Sequence, residues 1–377
     1  MDAHVSQRPP LDRLSDMLRP NPTVAAMAPY ALPDTSASGD LEPIVLAQNE
    51  HPYPPSARIR QAISDALGQA QLYSDSDCTE LRSAIAEVHG LDPGNIVCGS
   101  GSMELMSGLM QAYLSSADRI LMTEYGYLFM RTLARLVGAQ VDNAAEPEYQ
   151  VNVDNIIGAL QPATKLVFIV NPGNPCGSLL HNDEIRRLRA ALPEDVLLLI
   201  DEAYAEFVDD GFHSPLFDLV EQGNTVITRT FSKIYGLAGL RVGWGYFPAE
   251  IRDQLRKVLN PGSVTSLSQV AARAAMQEQD GVVEARRLIA EQRDYLTSAI
   301  GDLGLRVVPS QANFILVDFE TDKRAASAFE FLRDHRLVVR PMAGYGLPAC
   351  LRITIGKPEQ MRLTARTLGD WRQQGNG

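Results

Sequence analysis

The sequence predicts an α/β protein, with a large domain built on a doubly wound, mostly parallel central sheet and a smaller α+β domain at the C-terminal end. Three observations carry that expectation. From about residue 95 the chain repeats a strand, loop and helix pattern. Two strand-length runs, KLVFIV (165–170) and VLLLI (196–200), are apolar throughout, as strands buried on both faces of a parallel sheet are. After Asn260-Pro261-Gly262 the order changes to a long helical stretch followed by short strands with interleaved helices.

Each element follows from its own pattern. NIVCG (95–99) is β-prone and leads into MELMSGLMQAYL (103–114), where apolar residues at 105, 106, 109, 110, 113 and 114 have helical spacing. DRILMT (118–123) and TVITRT (225–230) read as further strands. NDEIRRLRAAL (182–192) reads as a helix with Asn and Asp at its start. Beyond residue 260 a helical stretch (about 266–301) precedes LRVVPS, NFILVDF, a helix near 323–334, LVVRP and CLRITIG. Residues 1–48, rich in Pro, Ala and Asp, read as an arm that packs on something else. The expected division is therefore an arm (1–48), a large domain (49–260) and a small domain (261–377).

Composition excludes several classes of function. Of 377 residues, 45% are apolar and 21% charged, ordinary globular values. The formal net charge is -12 and no basic stripe exceeds a few residues, so the cationic surface that nucleic acid or an anionic membrane requires is missing. Cys78, Cys98, Cys176 and Cys350 are far apart in sequence and form no CxxC pair, which argues against a disulfide framework or a zinc site. No metal site is expected. The N-terminal stretch has no apolar signal core and no run of eighteen apolar residues occurs, so a cytoplasmic enzyme is expected.

The informative feature is where polar residues fall. KLVFIV ends on Asn171, VLLLI on Asp201, and TVITRT runs into Ser232 and Lys233. NIVCG runs into Gly99-Ser100-Gly101-Ser102, and DRILMT into Glu124-Tyr125. In open parallel sheets the ligand crevice lies at the carboxyl ends of the strands, so these residues are expected on one rim. GSGSME (99–104) has small residues ahead of a helix start, suited to holding a phosphate. Glu104 breaks the dinucleotide fingerprint, no Gly-Lys-Ser/Thr follows, and a plain tight turn fits the same letters.

Individual residues carry two readings each. Asp201, after five apolar residues, is either a structural ion pair or helix cap, or an anchor for a protonated ring nitrogen, with Tyr204 turned toward the same ring. Lys233 is either a lysine reaching solvent from a strand end or an amine made nucleophilic by desolvation, able to form a Schiff base with an aldehyde. Arg241, with Thr230 and Ser232, would clamp a phosphate. Tyr125 is a stacking platform or one more core aromatic. Arg340 and Arg352 are anion binders or surface strand charges. An aldehyde acceptor, a ring-nitrogen carboxylate, an Asn and a Tyr for a phenolic oxygen and a phosphate cup together match pyridoxal 5'-phosphate.

On NPGNPCG (171–177), DEAYAEF (201–207), TFSKIYGLAGLRVGW (230–244) and VVRPMAGYGLPACLRITIG (338–356), the chain resembles the fold-type-I pyridoxal-phosphate aminotransferases, and within them the histidinol-phosphate aminotransferases. The resemblance runs from about Pro29 to Gly356. It implies that Lys233 carries the cofactor and shuttles the proton, that Asp201 pairs with the ring nitrogen, and that Asn171 and Tyr204 contact the phenolic oxygen. It further implies that Tyr125 stacks on the ring and that Gly101, Ser102, Met103, Thr230, Ser232 and Arg241 surround the phosphate. Tyr73 would reach the phosphate of a partner subunit, making an obligate homodimer with shared sites. Tyr30, Asn171, Arg340 and Arg352 would meet the substrate. The implied reaction is a ping-pong transfer between L-histidinol phosphate or glutamate and 2-oxoglutarate or another keto acceptor.

The sequence departs from that family in four places: Tyr73-Ser74-Asp75, Ser102-Met103-Glu104, Cys176, and NPGSVTSLSQ (260–269). Several of these border the substrate side. An aromatic or other amino-acid aminotransferase, and a decarboxylase or oxidase on the same fold, therefore stand as alternatives. A non-catalytic relative would be expected to lose the lysine or gain a DNA-binding segment, and the chain shows neither.

Overall fold

The computed structural model describes residues 19–28, 34–38, 42–208 and 216–376. In chain order its strands are β1 (Ile44–Val45), β2 (Ile96–Gly99), β3 (Arg119–Thr123), β4 (Gln140–Ala144), β5 (Thr164–Val170), β6 (Leu197–Asp201), β7 (Thr225–Thr230) and β8 (Gly243–Tyr246). They continue as β9 (Arg306–Val308), β10 (Phe314–Asp318), β11 (Leu337–Val338), β12 (Arg340–Pro341) and β13 (Cys350–Thr354).

Seven strands form the central sheet in the order β2-β8-β7-β6-β5-β3-β4. All run parallel except β8, which is antiparallel to both β2 and β7. The apolar runs behave as their composition requires: every residue of β6 and β7 is buried. Burial of each large aliphatic side chain contributes about 1.5–3 kcal/mol, which fixes these strands in the centre. Two strands were not anticipated. β4 is a polar edge strand, QVDNA, with no apolar run to mark it. β8, GWGY, is half glycine, a composition unfavourable to strands by propensity.

Gly243 explains why β8 tolerates glycine. A Cβ there would stand 2.8 Å from the Gly101 carbonyl carbon and 2.9 Å from the Arg229 carbonyl oxygen, and closer still to the Ser102 nitrogen. The strand therefore passes directly against the turn that follows β2. Gly243→Ala is expected to cost about 1–3 kcal/mol through backbone displacement. A thermal melt checks this, and the loss should be accompanied by weaker retention of any phosphate held by the turn.

The second sheet has the order β12-β13-β10-β9, all antiparallel. The expected long helix of 266–301 is two helices, Ser266–Met276 and Gln279–Asp302, and the first packs back on Ala57–Ala66 and Thr79–His89. LVVRP is also split: β11 pairs with β1, whereas β12 joins β13. The chain from β1 onward is thereby held at two places, β1 on β11 as a separate two-stranded sheet, and Leu46 and Asn49 on Thr354 of β13.

Behind β6 and β7 lies a buried ion cluster. Arg229 donates to Glu202 Oε2 at 2.9 and 2.7 Å and reaches Glu206 at 3.4 Å, with its guanidinium over the Phe217 and Trp244 rings. Arg229 and Glu202 are 1% and 0% exposed. Removing one member leaves an uncompensated buried charge, so Glu202→Ala is expected to destabilise the protein by about 3–5 kcal/mol. The urea midpoint measures that loss. No helix among the described residues is long and apolar enough to cross a membrane.

Candidate active site

Because β2, β3, β5, β6 and β7 are parallel, their carboxyl ends share one rim, and a cleft of about 460 Å³ opens there toward the second sheet. Ser102, Met103, Asp201, Tyr204, Thr230, Ser232, Lys233, Arg241, Arg340 and Arg352 all line it. Strand direction brings these together from residues spread over 250 positions of sequence.

Lys233 sits at the turn after β7. Its amine donates to the Gln48 carbonyl at 3.1 Å and lies 5.8 Å from the Tyr204 ring centre. Burial, followed by the nearby Arg352 guanidinium, pushes its pKa down to about 7, against the pull of Glu50 and Asp201. A lysine in this state is substantially neutral near neutral pH, which is what a nucleophilic amine requires. Asp201 ends β6 and is 5% exposed. Desolvation raises its pKa to about 7, opposed by the Thr228 hydroxyl, which donates to it at 2.9 Å. Glu202 next to it adds to the rise, and Lys233 opposes it. A carboxylate held at this cost is stabilised by any cation brought beside it.

The cup lies at the start of the helix Ser102–Tyr113, where the free N–H groups favour an anion. Gly101 precedes it at φ 79°, a conformation only glycine takes without strain, and a Cβ there would stand 2.7 Å from Arg241 Nη2. The glycine thus leaves room for the guanidinium over the turn. Arg241 itself donates to Ala238 O at 2.8 Å and lies 3.4 Å from Ser232 Oγ. Glu104, the residue that spoils the dinucleotide pattern, fastens the turn: its Oε2 accepts from Ser100 N at 2.6 Å and from Ser263 Oγ at 2.7 Å. The residues present therefore fit an aldehyde-bearing, phosphorylated pyridine ring.

Two expectations meet a different geometry. Asn171 does not face the cleft: its amide donates to Leu180 O at 3.0 Å and accepts from Leu180 N at 2.8 Å, closing the NPGNP loop. Asn174, three residues on, takes the cleft position. Both Asn-Pro bonds of this loop are cis. Tyr125 does not line the main cleft either. It lies 6.1 Å from Tyr149 in an adjoining cavity beside Cys176, while Tyr127 and Phe129 form the cleft wall. Tyr73, expected to reach a partner subunit, is wholly exposed on this chain. Tyr30 lies outside the described residues.

At the far end of the cleft, Arg340 and Arg352 are cross-strand partners on β12 and β13. Arg352 is 2% exposed and donates to Asn174 Oδ1 at 2.6 Å and to Ala47 O at 2.9 Å, with its guanidinium over Phe314. A planar, pre-oriented donor fork of this kind recognises a carboxylate or a phosphate. Asn49, the first residue after the arm, donates to the Tyr204 hydroxyl at 2.9 Å. Asn49, Asn174 and Tyr127 carry no local signal that distinguishes them from ordinary loop residues.

Comparison with known proteins agrees with this geometry. Residues 42–368 match the family described as aminotransferase class I and II. A histidinol-phosphate aminotransferase of Granulibacter bethesdensis is 42% identical over 351 residues, covering 93% of this chain and 95% of that protein. One from Jannaschia sp. is 40% identical over 342 residues, covering 91% and 95%. The solved structure of histidinol-phosphate aminotransferase from Sinorhizobium meliloti in complex with pyridoxal-5'-phosphate superposes with a TM-score of 0.86 at 26% identity, covering 94% of this chain and 98% of that one. With an amine of depressed pKa, a buried carboxylate and a glycine-led helix start lining one cleft, and with a match over most of its length, this chain belongs to the aminotransferase class I and II family.

Proposed function

We propose that the protein is a pyridoxal-phosphate-dependent aminotransferase that moves an amino group between L-histidinol phosphate or glutamate and 2-oxoglutarate. The observation that carries the donor assignment is the Arg340–Arg352 pair, which lines the same cleft as Lys233 and gives an anionic group a fixed site there. The names of the relatives at about 40% identity support the same donor.

Pyridoxal phosphate supplies, when bound, an aldehyde carbon for the amino group and a ring that withdraws electrons. The chain's own residues do the rest. Lys233 receives the α-proton of the donor and returns it at the opposite end of the transfer, a step for which a pKa near 7 is well matched. Asp201 holds the proton on the ring nitrogen, where the charge relieves its own desolvation. Tyr204 and Asn174 would meet the phenolic oxygen, and Arg241, Ser232 and Thr230 with the Gly101–Met103 turn would hold the phosphate. Arg352 orients the substrate anion.

The wholly exposed Tyr73, flanked by Leu67 and Leu72 at 55% and 62% exposure, supports a homodimer in which this segment enters the partner's site. Four free cysteines support a cytoplasmic setting. The same reading divides the chain into an arm (1–48), a large domain (49–260) and a small domain (261–377), with helix Ser266–Met276 packing on helices Ala57–Ala66 and Thr79–His89.

A second reading rests on the cleft wall. Tyr127, Phe129 and Tyr345 with Met103 and Met106 make it aromatic and apolar, and Tyr127 hydroxyl contacts Met103 Sδ at 3.1 Å. Such a wall also suits an aromatic amino acid. A single-turnover donor panel separates the two: loss of the bound cofactor's visible band is followed with L-histidinol phosphate, phenylalanine, tyrosine and glutamate. Fastest decay with histidinol phosphate supports the first reading. Preference for phenylalanine or tyrosine overturns it in favour of the second.

A further inference from the structure

We propose that Cys78 and Cys98 form a peroxide-sensitive dithiol, able to close reversibly into a disulfide at the base of the Gly101 turn. The inference stands on residues outside the cleft and does not depend on the pyridoxal-phosphate reading.

The fold brings the two thiols together from separate elements. Cys98 lies on β2, opposite Trp244 of β8, and leads into the turn at Gly101. Cys78 stands immediately before the helix Thr79–His89, which packs on β2. Its backbone is held on both sides. The N–H donates to Asp75 O at 3.1 Å, and the carbonyl accepts from Arg82 N at 2.8 Å. At φ 50° it takes a left-handed conformation uncommon outside glycine. Both cysteines line one cavity of about 230 Å³, which has room for several molecules the size of water or hydrogen peroxide. Cys78 is 3% exposed, so this cavity is its route to a small oxidant. The two thiols are hydrogen-bonded to each other.

Their surroundings separate the two roles. The hydrogen bond from Cys98 pulls the Cys78 thiol below its usual pKa, and Arg82 adds to this, against burial, Asp75 and Glu104. Cys98 moves the other way: its bond to Cys78 and its own burial keep it protonated well above the usual thiol range. The start of an eleven-residue helix and the guanidinium groups of Arg82 and Arg256 around the cavity favour a thiolate at position 78. Cys78 is therefore the attacking sulfur and Cys98 the resolving one. The remaining two cysteines lack such a setting. Burial pushes Cys176 far up, and Cys350, also raised by burial to about 11, lies against the Tyr149 hydroxyl at 3.8 Å.

The chemistry balances with a hydroperoxide as oxidant. The Cys78 thiolate attacks one oxygen of hydrogen peroxide, the O–O bond breaks, and the departing hydroxide takes a proton to become water. The Cys98 sulfur then attacks the Cys78 sulfenic acid, the S–O bond breaks, and the second hydroxide leaves as water with the Cys98 proton. Two thiols are oxidised to one disulfide, and the peroxide takes up their two electrons. The bond joins the segment that follows Tyr73 to the strand that feeds the Gly101 turn.

The test uses the full-length protein as purified, reduced and then freed of reductant. A few equivalents of hydrogen peroxide should lower its titratable thiols, counted after unfolding, from four to two. The intact mass should fall by about 2 Da, peptide mapping should join position 78 to position 98, and dithiothreitol should reverse both. Cys98→Ala should stop at the first step, with about 16 Da gained at Cys78 and dimedone labelling there. Cys78→Ala should keep all its thiols at the same dose. A full thiol count after treatment overturns the proposal, as does a bond between Cys176 and Cys350 or between two chains. Dimedone labelling of Cys98 in Cys78→Ala as fast as that of Cys78 in Cys98→Ala overturns the division of roles. Should a variant not fold, peptide mapping of the unsubstituted protein decides alone.

Discussion

Lys233→Ala is expected to abolish turnover, with a loss of roughly a thousandfold or more, because one side chain serves as both the nucleophile and the proton carrier. The bound cofactor's visible band should disappear with it, and borohydride should fix no cofactor at position 233. Retention of either activity or band would refute the assignment. The wild-type amine also has a distinctive pH behaviour. Its pKa lies near 7, lowered chiefly by burial, so the neutral fraction of cofactor-free protein grows as pH rises through 7. Cofactor uptake should accelerate up to about tenfold per unit below that point and level off above about pH 8. An ordinary lysine would keep accelerating to about pH 10.

Asp201→Asn should lower kcat by about a hundred- to a thousandfold, because the charge that holds the ring nitrogen protonated is lost while the shape is kept. The same substitution changes stability in a way that has a definite sign. In the folded, cofactor-free protein Asp201 titrates near 7 instead of 3.8, so between those values the native state holds a proton that the unfolded state has released. Stability from this group therefore falls as pH rises from about 4 to about 7. Lys233 does the reverse above that window: the unfolded chain holds a proton that the native amine lacks, so stability rises from about 7 toward 10.5. The two together place a minimum near neutrality. Urea midpoints of the cofactor-free protein across pH should show it, and Asp201→Asn should flatten its acid side. A wild-type curve that climbs from pH 5 to 7 relative to the variant would contradict the buried carboxylate.

The two effects are linked through the bound ring. A bound cofactor that placed a cation beside Asp201 and engaged the Lys233 amine would relieve both desolvation penalties, so binding should stabilise most where the free protein is weakest. The buried Arg229–Glu202–Glu206 cluster stands directly behind this pair and keeps Glu202, the neighbour of Asp201, paired.

Legibility varied with the range over which each feature is determined. β5, β6 and β7 were readable because a strand covered on both faces must be apolar at every position, a property carried by the residues themselves. Lys233, Asp201, Tyr204 and the Gly101–Met103 turn were readable because strand ends in a parallel sheet share a rim, and the motifs mark those ends. β4 and β8 were not, since an edge strand has one neighbour to satisfy and a glycine strand is chosen by what presses on it. Of the two Asn-Pro pairs, the sequence pointed to Asn171, because it ends the apolar run of β5. The Leu180 backbone captured the first and left the second to Arg352 and Tyr204. Tyr125 and Tyr127 were divided in the same way by the path of the chain after β3.

Sequence alone marked the class of sheet and the lysine, carboxylate and glycine turn that line the cleft, because each is a local arrangement with its own residue pattern. Only the tertiary structure decided which asparagine enters the cleft, which aromatic forms its wall, and that Asn49 meets Tyr204. Those outcomes depend on hydrogen bonds between residues as far apart as Asn49 and Thr354, and no local pattern encodes a partner 305 positions away.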